Sequence, residues 1–84
     1  MPTAATAVPR STRLTWLRSR RADLAADVER REAAVAQLRA ELALPPRRPD
    51  GRPPAERAMI GAVRDLVAAR ARLAQISREL LAQG

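Results

Sequence analysis

The sequence lacks the side chains on which most enzyme chemistry depends. Its 84 residues include no cysteine, histidine, lysine, tyrosine or phenylalanine. Without cysteine and histidine there is no thiol nucleophile, disulfide, imidazole base or nitrogen or sulfur metal ligand, and without lysine there is no Schiff base. Carboxylates and hydroxyls remain, but they need a pocket that shifts their pKa, and so short a chain builds little core. We therefore expect a protein that is not an enzyme and that binds no cofactor, metal ion or small-molecule substrate.

Long apolar segments are missing as well. No run approaches the roughly 20 residues of a membrane span, and the residues from Met1 to Arg21 lack the apolar centre of a signal peptide. Residues with AT-rich codons are scarce, since lysine, asparagine, phenylalanine and tyrosine are absent and isoleucine and methionine occur twice each. This bias indicates a high-GC bacterium or its phage, and we expect a cytoplasmic protein.

Alanine and arginine dominate what is present. Nineteen of the 39 hydrophobic residues are alanine, and Trp16 is the single aromatic side chain. The net charge is +7, and it is unevenly spread. Residues 1–21 carry five arginines and no acid, and residues 45–53 carry three arginines and one aspartate. The positive charge is therefore expected at two separate places along the chain.

A heptad pattern predicts a first helix over residues 11–44. Ser11 or Thr12 is the expected N-cap, because a hydroxyl there accepts from the free amides of the first turn. The helix is expected to end before Pro45, since the residue preceding a proline is pushed out of the helical region. Residues 1–10 are predicted to be a disordered basic tail. Positions spaced alternately by three and four form the seam: Leu14, Leu17, Arg21, Leu24, Val28, Arg31, Val35, Leu38 and Leu42.

A loop and a second helix complete the predicted elements. Residues 45–53 hold four prolines and one glycine, a composition that predicts a stiff loop. A helix is expected over residues 54–84, with Gly61 as a weak position that either costs helix propensity or permits close approach of the helices. Its main apolar stripe is Met59, Val63, Leu66, Leu73, Ile76 and Leu80, widened by Ile60, Val67 and Leu81.

Two helices of similar length joined by a short loop predict an all-α fold, an antiparallel helical hairpin resembling a coiled coil. Trp16 is then expected to cap the open end, near Ala82 and Gln83. Because one hairpin buries little surface, we expect self-association into a four-helix bundle. The expected facing pairs are Leu42–Arg57, Leu38–Gly61, Val35–Val63, Val28–Arg70 and Leu17–Leu81.

Three arginines interrupt the apolar stripes, at Arg21, Arg31 and Arg70. Asp27 lies one turn before Arg31 in the order that favours an ion pair, and Glu32 is the expected partner of Arg70 across the helices. One interpretation is that these side chains extend along the edge of a narrow seam to reach water. The other is that they determine the register of a four-helix dimer.

Arginine-rich segments favour nucleic acid as an alternative partner. The residues Gly51, Arg52 and Pro53 resemble the Gly-Arg-Pro core of AT-hook peptides, which implies binding in an A·T-rich minor groove. That family has a basic residue before the glycine, where this chain has Asp50, so a proline-stiffened turn is the favoured interpretation. The candidate contacts to nucleic acid or another anion are Arg10, Arg13, Arg18, Arg20, Arg21, Arg47, Arg48 and Arg52.

The predicted function is a non-enzymatic helical hairpin that mediates protein–protein interaction or oligomerisation. Its partner is expected to be a second copy, giving a homodimer, or another helical protein. The alternative is a small basic accessory protein of transcription or the nucleoid that binds nucleic acid. The predicted protein-interface residues are Leu17, Leu24, Val28, Val35, Leu38, Leu42, Met59, Val63, Leu66, Leu73, Ile76 and Leu80.

Overall fold

Two long helices make up the fold, in a computed structural model that describes residues 9–45 and 52–83. Helix α1 spans Arg10–Ala43 and helix α2 spans Arg52–Gln83. The two pack side by side in opposite directions, as an antiparallel helical hairpin, and the described residues contain no strand. The predicted fold class is therefore confirmed. Residues 1–8 of the predicted tail and residues 46–51 of the predicted loop lie outside the described part of the chain, whereas Arg10, the last residue of the predicted tail, already belongs to α1.

The start of α1 differs from the prediction. The N-cap is Pro9 rather than Ser11 or Thr12, and no side chain caps this end. The carbonyl of Pro9 accepts from the amide of Arg13 at 3.0 Å, which places both hydroxyl residues inside the first turn. There the Ser11 carbonyl accepts a bond from Thr15 Oγ1 at 2.9 Å instead. Pro9 suits this cap position for two reasons: its backbone is extended, with φ of −58° and ψ of 144°, and the helix does not need the amide donor that proline lacks.

The end of α1 follows the sequence closely. Leu44 leaves the helix with ψ of 151°, and its amide donates to the carbonyl of Glu41 at 3.2 Å. Pro45 forces this change, because its ring clashes with a helical conformation of the preceding residue. Helix α2 begins at Arg52, two residues before the predicted start at Pro54. Prolines in the first turn of a helix lose no intrahelical hydrogen bond, so Pro53 and Pro54 are compatible with this earlier start.

The core is a narrow apolar seam between the helices, divided into two clusters. Towards the loop, Val28 and Val35 of α1 pack with Leu66 and Ala69 of α2. Towards the open end, the second cluster consists of Leu17, Leu24 and Ile76. Leu17 and Ala69 are the most deeply buried, at 1% and 0% exposure. Because only seven residues in the described chain are buried and hydrophobic, the seam supplies a small core.

Two residues of the predicted facing pairs lie at the margin of the seam rather than inside it. Val63 was expected opposite Val35, and Leu81 opposite Leu17, yet Val63 is 40% and Leu81 80% exposed. Leu66 belongs to the first cluster and Leu80 packs against the second, whereas Val63 and Leu81 remain largely outside the seam.

Trp16 and Gly61 also depart from their predicted roles. Trp16 is 59% exposed and does not cap the open end, because its neighbour Leu17 occupies the seam. At that end the Arg10 guanidinium donates instead to the backbone carbonyl of Gln83. Gly61 does not mediate close packing, since nothing lies within 4 Å of the position that a Cβ would take. Neither described helix has an apolar stretch long enough to cross a membrane.

Candidate interaction surfaces

Most of the predicted interface residues line the seam inside the hairpin. Eleven of the twelve are buried or half-buried, and Val63 is the exposed member. Their first partner is therefore the other helix of the same chain. Their contact with a second protein stays a prediction. The buried six are Leu17, Leu24, Val28, Val35, Leu66 and Ile76; the half-buried five are Leu38, Leu42, Met59, Leu73 and Leu80.

Arg31 makes ion pairs within α1 and across to α2. Its Nε donates to Asp27 Oδ2 at 3.1 Å, the pair expected from the sequence, and Nη1 lies 3.6 Å from Asp65 Oδ2. The hydrogen bond from Arg31 holds the pKa of the Asp27 carboxyl below its ordinary value of 3.8, and partial desolvation opposes this effect. Arg30 adds a longer contact to Asp27 at 3.5 Å. Asp65 is a partner that the pattern along α1 alone does not reveal.

Arg70 and Glu32 form the second ion pair between the helices. Arg70 Nη2 lies 3.4 Å from Glu32 Oε1, which confirms the partner expected from the sequence. Both side chains are about half exposed, at 58% and 49%. Since exposed pairs contribute about 1 kcal/mol or less, this pair is better regarded as an aid to alignment than as a main source of stability.

Arg21 has a different partner from the other two arginines. Its Nε donates to the hydroxyl oxygen of Ser77 at 3.3 Å, and no carboxylate of the described residues lies within ion-pair distance. Arg21 is exposed, as expected of a side chain that extends from the seam towards water. The three arginines of the apolar stripes therefore all contact the neighbouring helix, and within the described residues Arg31 and Arg70 are the two that meet a carboxylate there.

An exposed apolar stripe runs along the loop-proximal half of α2. Ile60, Val63 and Val67 are 61%, 40% and 59% exposed, and their spacing of three and four residues places them on one side of the helix. We call these three residues the outer stripe. The sequence shows these three apolar residues, but its pattern predicts that Ile60 and Val67 widen the apolar stripe that faces α1. The packing of Leu66 and Ala69 against α1 is what leaves them in water.

The outer stripe borders a shallow groove between the helices, which we call the central groove. Its volume is about 320 Å³. Val35 and Leu66 form its apolar floor, and the Arg70–Glu32 ion pair lies at its side. The groove is lined by Glu32, Val35, Ala36, Arg39, Val63, Leu66 and Arg70.

Five of the eight arginines predicted to contact nucleic acid or another anion have side chains in the described part of the chain, and three do not. Arg10, Arg13, Arg18, Arg20 and Arg21 are all exposed on the first turns of α1. Arg47, Arg48 and the side chain of Arg52 lie outside the described part. The backbone of Arg52 and Pro53 is helical, whereas the AT-hook resemblance implies an extended core, so the structure does not support that resemblance at these two residues.

The carboxylates of the described residues are dispersed. Across residues 9–45 and 54–83, no group of three aspartates or glutamates is placed to hold a metal ion. Two carboxylates of α1 are instead engaged with arginines: Asp27 contacts Arg30 and Arg31, and Glu32 contacts Arg70.

The fold and these surfaces define a class, the basic antiparallel helical hairpin with an unpartnered apolar stripe. Comparison of the chain with protein-family models, with curated proteins and with solved structures finds no match.

Proposed function

We propose that this protein is a non-enzymatic helical-hairpin interaction module that binds a second copy of itself through the outer stripe of α2. The exposure of Ile60, Val63 and Val67 is the observation that carries the proposal. Fully burying an exposed side chain of this kind is worth about 1.5–3 kcal/mol; these three are already partly covered, so each gains roughly half of that, and a two-fold interface buries each of them twice. For a hairpin with so small a core, that gain is a substantial addition to its stability.

The second copy is favoured as the partner because the chain carries both halves of a complementary contact. Residues 22–44 of α1 hold five acids and three arginines, whereas residues 54–84 hold five arginines and three acids. The loop-proximal part of α1 in one copy, residues 22–44, and residues 54–84 of the other copy therefore have opposite net charge, although α1 as a whole is net positive.

The surface of α1 also offers room for a bulky stripe. Ala36, Ala40 and Ala43 are exposed at spacings of four and three, so they share one side of α1. Ala36 lines the central groove together with Val63. Small side chains let a second helix approach closely, so the branched side chains of the outer stripe fit against this alanine surface in a four-helix bundle. In this proposal the module acts in the cytoplasm, and the scarcity of residues with AT-rich codons supports a high-GC bacterium or its phage as the source.

Sedimentation equilibrium tests the self-association. We expect a reversible dimer for the natural sequence and a monomer of unchanged helicity for Val67→Asp, because an exposed side chain can be charged without disturbing the seam. Gln75→Asp is the matched control, since it adds the same charge at an exposed position of α2 outside the outer stripe. A natural protein that is a folded monomer at all concentrations contradicts the proposal, as does equal dissociation by Gln75→Asp.

Nucleic-acid binding is the second candidate function, and a separate observation favours it. The first twelve residues of α1 carry five exposed arginines and no carboxylate. Such a cluster suits the phosphate backbone, whose binding weakens with salt because counterions are released. Trp16 is the only aromatic side chain in the sequence, so binding would be directed at phosphates rather than at stacked bases.

A salt titration with a short DNA duplex tests this candidate. Five phosphate contacts give a slope of about −4 to −5 in log affinity against log salt concentration, and Arg13→Gln with Arg20→Gln reduces its magnitude by about 2. A triple variant, Arg47→Ala, Arg48→Ala and Arg52→Ala, reports on the loop in the same assay. Absence of binding at low salt excludes the candidate.

A further inference from the structure

A second groove lies at the open end of the hairpin, where α1 begins and α2 ends. We call it the end groove. Its volume is about 420 Å³, within the size range of small-molecule sites. It shares no residue with the outer stripe or the central groove, so its role is separable from self-association. The end groove is lined by Leu14, Arg18, Arg21, Ser77, Leu80 and Leu81.

One side of the end groove carries two uncompensated positive charges. Arg18 and Arg21 lie one turn apart on α1, and both are exposed. Arg21 donates to the neutral hydroxyl of Ser77, and no carboxylate among residues 9–45 and 54–83 pairs with either guanidinium. By contrast, Arg31 and Arg70 both have carboxylate partners on the opposite helix. Among the described residues, the end groove is thus a place where cationic donors lie at the helix interface without a carboxylate partner.

The rest of the end groove is apolar. Leu14 and Leu80 are half-buried, and Leu81 is 80% exposed, the largest exposed fraction among the large hydrophobic side chains of the described residues. An inorganic anion or a phosphate backbone has no apolar surface to bury against these leucines, and a neutral hydrocarbon cannot accept hydrogen bonds from the guanidiniums. A ligand that uses both parts has an anionic head and an aliphatic chain.

We propose that the end groove binds a monomeric anionic amphiphile, namely a long aliphatic chain that ends in a carboxylate. The carboxylate accepts charge-assisted hydrogen bonds from Arg18 and Arg21, whose planar forks match its two oxygens. The chain lies against Leu14, Leu80 and Leu81 and removes their exposed surface from water.

Titration with dodecanoate, kept below its micelle-forming concentration, tests the proposal. Binding is followed by calorimetry and by the backbone amide signals of residues 14–21 and 77–83. Acetate and dodecanol are the comparison ligands, since one has only the head and the other lacks the charge. We expect saturable binding of dodecanoate at one site per chain and at least about tenfold weaker binding of both comparison ligands.

Two double variants separate a local site from general charge attraction. Arg18→Gln with Arg21→Gln is expected to weaken dodecanoate binding by about tenfold or more, because the charged donors are lost. Arg13→Gln with Arg20→Gln removes the same charge from arginines that do not line the groove, and is expected to weaken binding less than about twofold. Equal weakening by both double variants overturns the proposal, as does equal binding of dodecanol.

A third variant tests the apolar part of the site. Leu81→Ser should weaken dodecanoate binding several-fold while leaving helicity unchanged, because this side chain is exposed rather than packed. Val67→Asp should bind dodecanoate like the natural sequence, whatever its oligomeric state. Unchanged affinity in Leu81→Ser contradicts a groove that holds a single amphiphile. Preferential binding of the protein to anionic vesicles also contradicts it, if both double variants weaken that binding equally.

Discussion

Arg31 of α1 contacts Asp65 of α2, with Nη1 3.6 Å from Oδ2, while its Nε bonds to Asp27 at 3.1 Å. One guanidinium thereby joins two carboxylates on different helices. Its side chain is 36% exposed, against 70% for the neighbouring Arg30, so it also covers part of the seam.

We expect Arg31→Gln to lower the free energy of unfolding by about 1 kcal/mol, because it removes both ion pairs and some apolar cover. Arg30→Gln is the matched control and should change stability by less than about 0.3 kcal/mol, since Arg30 makes one long contact at the surface. Urea unfolding followed by circular dichroism measures both. Equal effects of the two variants would show that the contact with Asp65 adds nothing.

Acid should weaken the hairpin partly through Asp27. The hydrogen bond from Arg31 lowers the pKa of this carboxyl in the folded state, so the ionised form is favoured by folding. The resulting stability is fully present above the ordinary value of 3.8 and is lost as the pH falls through the lower pKa of the folded state.

Carboxyl NMR should therefore show Asp27 titrating at lower pH than an unfolded aspartate. The acid-dependent loss of stability should be smaller in Asp27→Asn, with Asp23→Asn as the control because Asp23 is an exposed carboxyl on the same helix. An Asp27 that titrates at or above its ordinary pKa would contradict the ion pair with Arg31.

The seam should be far more sensitive to truncation than the exposed leucine at the same end. Leu17 is 1% exposed, and Leu17→Ala is expected to cost about 2–4 kcal/mol because it removes apolar burial and leaves a cavity. Leu81 is 80% exposed, and Leu81→Ala should cost less than about 0.5 kcal/mol. Thermal unfolding compares the two. Similar losses would place Leu81 in the core and contradict its rotation out of the seam.

Gly61 offers a stabilising substitution. A methyl group there meets no atom within 4 Å, so Gly61→Ala should raise the free energy of unfolding by about 1 kcal/mol through helix propensity alone. The reverse change at an exposed position of α2, Ala58→Gly, should lower it by a similar amount. Destabilisation by Gly61→Ala in urea unfolding would reveal a close neighbour at this position, such as a second chain.

Local patterns in the sequence account for the helices and for part of the ion-pair arrangement. The heptad spacing predicts α1, Pro45 predicts its end, and the i, i+4 order predicts Asp27 with Arg31. Even the pair of Glu32 with Arg70 follows from the antiparallel alignment of two helices of similar length. These features depend on spacing along one helix or on the length of the loop, which are readable without coordinates.

The rotation of each helix about its axis depends on the tertiary structure alone. Spacing identifies a broad apolar stripe on α2 but does not say which of its residues face α1. Packing around Ala69, which is fully buried, turns Leu66 and Ile76 inwards and leaves Val63, Val67 and Leu81 in water. The seam accepts few side chains per turn, so an apolar stripe wider than the seam must leave an exposed edge.

The sequence by itself determined an all-helical hairpin, through its periodic alanines and its few large apolar residues. It also determined the lack of the usual catalytic groups, since cysteine, histidine and lysine are missing. Only the tertiary structure decided that Arg31 also contacts Asp65, that Arg21 meets a hydroxyl, and which apolar side chains remain exposed. The physical reason is that composition and period are properties of a single helix. The choice of contacts is made by the close packing of two helices, where one side chain in the seam excludes its neighbours.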